Sequence, residues 1–222
     1  MSNFKAILQI SLGKHNPTEY EELVLDDFWK NKDTLTKDEK AGIEEYTNLV
    51  HLSLNNIGFK SLENFPAIKG LYYLSIKNNE LNGDDFDLIP KLYPKLQKLK
   101  ISGNNIEKIN NLMKLRNLNL RKIEVKENPF SVGNKTYKNK LFQILPSLEI
   151  IDQEDKMGEE IETTDYHNEE QENEGSDFNE EDEEDGSKDN DDDDAEDGSK
   201  DDNEEEEEEE EEDNNKNKIK KK

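Results

Sequence analysis

Carboxylates are the residues of this sequence that are best placed to do chemistry. The 222 residues include 56 aspartates and glutamates against 30 lysines and arginines, a formal net charge of −26. Two unbroken runs concentrate these groups: Asp191, Asp192, Asp193 and Asp194, and then nine glutamates that begin at Glu204, are centred on Glu208 and end at Glu212. Carboxylates at this density attract Lys/Arg-rich partners by long-range electrostatics and counterion release. The runs therefore predict a polyanionic binding segment.

The charge is divided unevenly along the chain. Residues 1–150 contain 19 acidic and 22 basic residues, a net charge of +3, whereas residues 151–222 contain 37 acidic and 8 basic residues, a net charge of −29. A net charge of roughly 2–8 suffices to keep a small domain soluble. The excess favours binding over the alternative, a segment that only solubilises the protein. So few apolar residues also predict that this region is disordered.

Two serines within the acidic region are candidates for phosphorylation. Ser187 and Ser199 lie in the hexapeptide Glu-Asp-Gly-Ser-Lys-Asp, which occurs twice, and Ser199 is followed at +3 by Asp202. Acidophilic kinases accept this context, and phosphate would add charge of the sign that is already present. Slippage within low-complexity sequence is the alternative explanation of the repeat.

The last nine residues form a basic cluster. Its lysines are Lys216, Lys218, Lys220, Lys221 and Lys222. Short lysine-rich stretches of this kind serve as nuclear-import signals, or are simply exposed ends.

Other chemistries find little support in the sequence. There is no cysteine, which excludes a disulfide scaffold and thiolate metal ligation, and the three histidines are scattered. No phosphate-binding glycine loop, nucleophile elbow or HExxH motif occurs. We predict a protein without enzymatic activity, cofactor or metal. We expect no signal peptide and no membrane span, because no run of 18 uncharged apolar residues occurs.

A repeated frame, apolar at positions 1, 4 and 6, predicts the elements that present these groups. Its five copies begin at 20, 49, 71, 96 and 115, at spacings of 29, 22, 25 and 19 residues, close to the leucine-rich-repeat period. The copies are Tyr20-Leu23-Leu25, Leu49-Leu52-Leu54, Leu71-Leu74-Ile76, Leu96-Leu99-Ile101 and Leu115-Leu118-Leu120. They predict an α/β leucine-rich-repeat solenoid with a curved parallel sheet on its concave face and 3₁₀ or α segments on its convex face.

The return segments follow a second pattern. Apolar residues three apart, over 59–71 and 106–115, predict 3₁₀ paths. A short α-helix is predicted around Phe86–Leu92, capped by Asp84 and ended by Pro94. At position 9, Asn79 and Asn104 are expected to bond buried backbone groups.

Helical caps are expected to cover both ends of the solenoid core. An amphipathic helix is predicted from Phe4, Ile7, Leu8 and Leu12, and another from Tyr137, Leu141, Phe142 and Leu145, followed by a strand near 148–151. The predicted domains are an N-terminal cap at 1–19, five repeats at 20–136, a C-terminal cap at 137–155, a disordered acidic tail at 156–213 and a basic tip at 214–222.

The concave face is the candidate partner-binding surface. Positions 3, 5 and 7 of each strand alternate with the core positions and point the other way. The predicted face comprises Glu22, Val24, Asp26, His51, Ser53, Asn55, Tyr73, Ser75, Lys77, Lys98, Lys100, Ser102, Asn117, Asn119, Arg121, Ile150 and Asp152. Lys77, Lys98, Lys100 and Arg121 form a basic centre beside an acidic first strand. The acidic tail is hypothesised to fold back over this centre, and the alternative is an ordinary solvated face.

Several motifs together resemble the acidic leucine-rich nuclear phosphoproteins. They are Pro17-Thr18 leading to Glu22-Leu23-Val24-Leu25-Asp26, the repeats, the cap with Leu145-Pro146 and Ile151-Asp152, and the acidic tail with its basic cluster. The resemblance implies a non-enzymatic protein that resides in the nucleus or shuttles between nucleus and cytoplasm. It also implies a chaperone-like regulator of chromatin that binds histones or other basic proteins.

The same resemblance leaves alternatives open. Members of the family also inhibit a type 2A protein phosphatase, which would use the repeat domain. The repeats are similar as well to the spliceosomal A-prime leucine-rich protein, but a segment of charge −29 would repel RNA phosphates. We therefore expect no direct binding of nucleic acid by the tail, no membrane association and a monomer.

Overall fold

The computed structural model describes Phe4, residues 6–8, Gly13 and residues 16–161. Within them six short strands form one parallel sheet, and the strands follow each other in chain order across it. The strands are β1 (Glu22–Val24), β2 (His51–Ser53), β3 (Tyr73–Ser75), β4 (Lys98–Lys100), β5 (Lys122–Glu124) and β6 (Ile150–Ile151). The predicted leucine-rich-repeat solenoid is confirmed.

The register of the sheet places one apolar side chain of every strand on the core side. The paired central residues are Leu23, Leu52, Leu74, Leu99, Ile123 and Ile151, and each is at most 2% exposed. Position 6 of the frame is equally buried at Leu54, Ile76 and Ile101. The period-two alternation of a strand therefore commits positions 3, 5 and 7 to the concave side.

The fifth strand lies five residues later than the frame predicted. Lys122 pairs with Lys98 and Ile123 with Leu99, so the fifth copy begins at Leu120, 24 residues after Leu96. The predicted start at Leu115 is wrong. Leu115 ends a 3₁₀ segment and Leu118 is buried in the following turn, so two overlapping apolar patterns satisfy the same frame.

Buried asparagines bond the backbone where the strands turn away. The Oδ1 atom of Asn79 accepts from the N–H groups of three successive residues, 57–59, at 2.9 to 3.2 Å. Asn104 accepts from Leu81 N–H at 3.1 Å and donates to the carbonyls of 76 and 101. Asn128 does the same from Ile106 N–H to the carbonyls of 101 and 125. The first two confirm prediction, and Asn128 completes a ladder that the wrong fifth frame concealed.

The return segments use several kinds of helix and turn. They include the α-helices α1 (Lys37–Glu44) and α2 (Ile89–Leu92), and the 3₁₀ segments Pro17–Glu19, Phe86–Leu88 and Ile109–Leu115. The last segment confirms the three-residue spacing of 106–115. Asp84 does not cap the helix, since Asp85 precedes the 3₁₀ turn and makes no side-chain capping bond there.

Residues 59–71 form turns rather than the predicted 3₁₀ path. Their apolar side chains are buried as expected, but the backbone bonds elsewhere. The N–H of Leu62 donates to the carboxylate of Asp85 at 2.5 Å, and Pro66 has no N–H to donate.

Helix α1, which was not predicted, occupies the long first repeat and begins at a capping box. Thr36 Oγ1 accepts from Glu39 N–H at 3.3 Å, and Thr36 N–H donates back to the Glu39 carboxylate at 2.8 Å. Burial raises the pKa of Glu39, but the hydrogen bonds from Thr36 and Lys32 outweigh it and lower the pKa overall. Glu39 thus remains ionised as the cap of α1.

Both ends of the solenoid core are covered, largely as predicted. Phe4 and Leu8 are helical and buried, and the Phe4 ring stacks on Trp29 with centroids 5.5 Å apart. Ile7, expected on the same apolar face, is 41% exposed, and Leu12 lies outside the described residues. Gly42 of α1 leaves room for the ring, because a Cβ there would lie 2.6 Å from Phe4.

The C-terminal cap is helix α3 (Tyr137–Ile144), which buries Leu141. The Tyr137 hydroxyl donates to Asp152 at 2.5 Å, and Asp152 accepts from Val125 N–H at 2.7 Å. Burial, followed by this carboxylate, raises the pKa of Tyr137, so the hydroxyl remains a donor. In the described part of the chain, no helix has the length and apolar character to cross a membrane.

One backbone position of each repeat has left-handed geometry. Position 8 is Asp27, Asn56, Asn78, Gly103 and Glu127, with φ of +56, +58, +52, +67 and +60°. Aspartate, asparagine and glycine adopt this conformation readily, whereas glutamate is strained in it. The fifth repeat therefore carries a local backbone strain that its neighbours avoid.

Replacement of Asn104 tests the asparagine ladder. Asn104→Ala strands the buried N–H of Leu81, and we expect it to lower the free energy of unfolding by about 2–3 kcal/mol. The neighbouring exposed Asn105→Ala is the control and should change it by less than about 0.5 kcal/mol. Urea unfolding followed by circular dichroism measures both, and equal effects would contradict the role of the ladder.

Replacement of Glu127 tests the strain at position 8. Glu127→Gly should raise the free energy of unfolding by about 0.5–1 kcal/mol, because relief of the left-handed strain exceeds the entropy cost of glycine. Lys108→Gly, at φ −114°, is the control and should lower stability by a similar amount. The same urea titration decides, and destabilisation by both changes would refute the strain.

Candidate partner-binding face

The concave face is built from the odd positions of the strands, which lie in rows across the sheet. The strand register aligns Glu22, His51, Tyr73, Lys98, Lys122 and Ile150 in one row. The next row aligns Val24, Ser53, Ser75, Lys100 and Glu124. Beyond the strand ends follow Asp26, Asn55, Lys77, Ser102 and Lys126.

A hydrogen-bonded network fixes the acidic end of this face. Asp26 accepts from the Ser53 hydroxyl at 2.7 Å and from the backbone and side chain of Asn55 at 2.9 and 2.8 Å. The Oδ1 atom of Asn55 accepts from the Ser75 hydroxyl and from Lys77 N–H, both at 2.7 Å. Three strands are thereby linked through polar side chains, and their orientation is set before any partner arrives.

The centre of the face offers less surface than predicted. Tyr73 is 7% exposed, Ser75 1% and Asn55 8%, so these three contribute mainly to the network and its packing. His51 and Tyr73 meet edge to face, with ring centroids 5.6 Å apart. A partner on this face would reach chiefly the long side chains on either side.

Lysines dominate the other end. Lys98 Nζ lies 5.4 Å from the ring centroid of Tyr72, and Lys100 Nζ lies 5.7 Å from that of Tyr73. Lys100 also forms an ion pair with Glu124 at 3.0 Å. Aromatic faces attract ammonium groups, so these contacts hold two lysines in place along the sheet.

Three predicted residues leave the face because the fifth strand begins later. Asn117 and Asn119 are exposed residues of the segment that precedes β5. Arg121 precedes the strand and pairs with Glu149 at 2.8 Å. Their predicted place on the face is wrong, and Lys122, Glu124 and Lys126 take it. The signal that could have found them is Asn128, which restores the frame of Leu96 and Asn104 after 24 residues.

The remaining predicted sites lie outside the described residues. They are the acidic runs at 191–194 and 204–212, the serines at 187 and 199 and the lysines at 216–222. Among the residues that the structure does describe, no three histidine, aspartate or glutamate side chains are grouped so that they could hold a metal ion.

Comparison with known proteins gives consistent relatives. The chain is 34% identical over 155 residues, 69% of its length, to an acidic leucine-rich nuclear phosphoprotein 32-related protein of Plasmodium falciparum. It is 36% identical over 122 residues to related protein 2 of Caenorhabditis elegans, 54% of this chain and 53% of that one. The chain spans about half the length of these relatives. No protein-family model matches it.

Two further similarities involve proteins with other names. A protein of Tetrahymena thermophila that is named a histone is 33% identical over 120 residues, 54% of this chain and 30% of that protein. A chain in the crystal structure of the Drosophila melanogaster SNF/U2A' complex superposes with a TM-score of 0.51 at 21% identity, covering 61% of this chain and 74% of its own length. At that identity the structural likeness supports the fold alone.

The sequence relatives agree with the resemblance that the motifs indicated. Their identities of 31–36% extend over half to two thirds of this chain and span several distant organisms. The chain is therefore a homologue of the acidic leucine-rich nuclear phosphoprotein 32-related proteins.

Proposed function

We propose that this protein is a non-enzymatic nuclear binding protein that acts on histones or similar basic proteins in a chaperone-like way. The observation that carries the proposal is the charge of −29 in residues 151–222, covalently attached to a folded repeat domain whose net charge is close to zero. The acidic region supplies the attraction and the repeat domain supplies an ordered docking surface. The partner is defined by its chemistry, a high density of lysine and arginine.

The acidic region acts by competing with nucleic acid for the same cations. Histone lysines and arginines bind phosphate chains largely through charge and counterion release. A carboxylate-rich segment reproduces that charge without a base sequence, so it neutralises the basic protein without selecting a site on it. Phosphorylation of Ser187 and Ser199 would strengthen the attraction.

The names of relatives support a nuclear setting. The proteins from Plasmodium, Caenorhabditis and rice are named nuclear phosphoproteins. The Tetrahymena protein named a histone includes a segment homologous to this chain, which associates the sequence type with chromatin. The lysines at 216–222 supply a candidate import signal, and shuttling through the cytoplasm belongs to the same proposal.

Removal of the acidic region tests the proposal. A fragment of residues 1–161 should retain the near-ultraviolet circular dichroism of the repeat domain and bind core histones at least about tenfold more weakly than the full chain. Fluorescence anisotropy with fluorescently labelled core histones measures the binding. If the folded fragment binds as tightly as the full chain, the acidic region does not drive the interaction.

The concave face is complete without residues 162–222, and this favours phosphatase inhibition as an alternative function. In that case the fragment 1–161 should inhibit a type 2A phosphatase as strongly as the full chain does, because the repeats alone would occupy the enzyme surface. A phosphopeptide dephosphorylation assay with both proteins measures this. Absence of inhibition by either one removes the alternative.

A further inference from the structure

The concave face carries opposite charges at its two ends. Strand β1 contributes Glu22 and Asp26 and no basic residue. The face over β3, β4 and β5 carries a surplus of positive charge. Its charged residues are Lys77, Lys98, Lys100, Lys122, Lys126 and Glu124, a net charge of +4. We call these six residues the lysine strip.

The sheet register crowds the charges of the lysine strip together. Lys98 and Lys122 are direct partners on neighbouring parallel strands, about 4.8 Å apart. Like charges at that separation repel each other, and a carboxylate placed between them relieves the repulsion. Glu124 provides such a carboxylate to Lys100 at 3.0 Å. The first row, which holds Lys98 and Lys122, contains no acidic residue on β3, β4 or β5.

We propose that the lysine strip binds a short acidic segment of a partner protein, laid across β3, β4 and β5. Three strands span about 10 Å, which three or four residues of an extended peptide cover at about 3.3 Å each. A cluster of that many aspartates or glutamates would place carboxylates against Lys98 and Lys122. The tyrosine contacts at 5.4 and 5.7 Å orient Lys98 and Lys100 toward such a ligand.

The distribution of charge favours a peptide over a nucleic acid. A phosphate backbone is uniformly negative, and beyond the strip it would meet Glu22 on β1 and Asp26 just after it. Glu124 also interrupts the strip itself. A peptide whose acidic cluster is short meets the lysines alone, and its neighbouring residues can be neutral or basic where the face is acidic. This binding goes beyond the proposed function, since it uses the repeats and takes a partner of the opposite charge.

The test uses the full chain and a labelled peptide. The probe is a fluorescein-labelled twelve-residue peptide with four consecutive glutamates flanked by glycine and serine, titrated at low salt. Lys98→Gln/Lys122→Gln removes two charges from the strip. Lys135→Gln/Lys140→Gln removes two exposed charges in and just before the convex helix α3, so both variants have the same net charge.

We expect saturable binding to the unaltered chain, about fivefold weaker binding to the strip variant and less than a twofold change in the control variant. Thermal melting verifies that both variants fold. No saturable binding, or equal weakening by both pairs, overturns the proposal. Tighter strip-dependent binding of a twelve-nucleotide single-stranded DNA overturns it in favour of nucleic acid.

The chain's own acidic run is the remaining competing occupant. A full-length variant with Glu204–Glu212 replaced by glutamine identifies it. Peptide binding that appears in this variant but is undetectable in the unaltered chain would assign the strip to the chain's own glutamates and overturn docking of a partner. Strip-dependent binding of similar strength in both proteins supports the proposal.

Discussion

Satisfaction of buried backbone groups is the constraint on which the rest of this structure depends. Each strand is only two or three residues long and must turn sharply into its return segment, which leaves N–H and C=O groups inside the solenoid. Asn79, Asn104 and Asn128 bond these groups between consecutive repeats. An unbonded group there would cost about 1–3 kcal/mol. The asparagines thus set the spacing of the repeats and with it the register of the sheet.

The concave face follows from that register. Because each strand is held level with its neighbours, side chains at equivalent positions align in rows, and charge accumulates wherever the sequence repeats one sign. The result is an acidic end fixed through Asp26 and Asn55 and a lysine-rich end over β4 and β5. Together with the acidic region, the protein offers opposite charges on separate parts of one chain, which allows two kinds of partner to be recognised independently.

Sequence alone predicted the features that depend on apolar period, and it failed where two patterns overlapped. Leu52, Leu74 and Leu99 identified three strands without ambiguity. The fifth strand was misplaced because Leu115 and Leu118, buried in a 3₁₀ segment and a turn, imitate the frame. Helix α1 was missed although Thr36 and Glu39 form a capping box.

The misplaced strand had consequences for the site. It replaced Lys122 with Arg121, whose side chain pairs with Glu149 instead. The left-handed residues at position 8 have no apolar signature, and only their enrichment in Asn, Asp and Gly hints at them. The basic character of the face was nevertheless predictable, because Lys77, Lys98 and Lys100 belong to repeats whose frame was correct.

The salt dependence of histone binding by the full chain tests the central claim most directly. If carboxylates capture basic proteins by charge, the association constant with core histones should fall by at least roughly tenfold between about 0.1 and 0.5 M sodium chloride, with a linear decrease of its logarithm against the logarithm of salt concentration. An association constant that is unchanged across this range would show that shape and apolar contact, rather than charge, hold the partner.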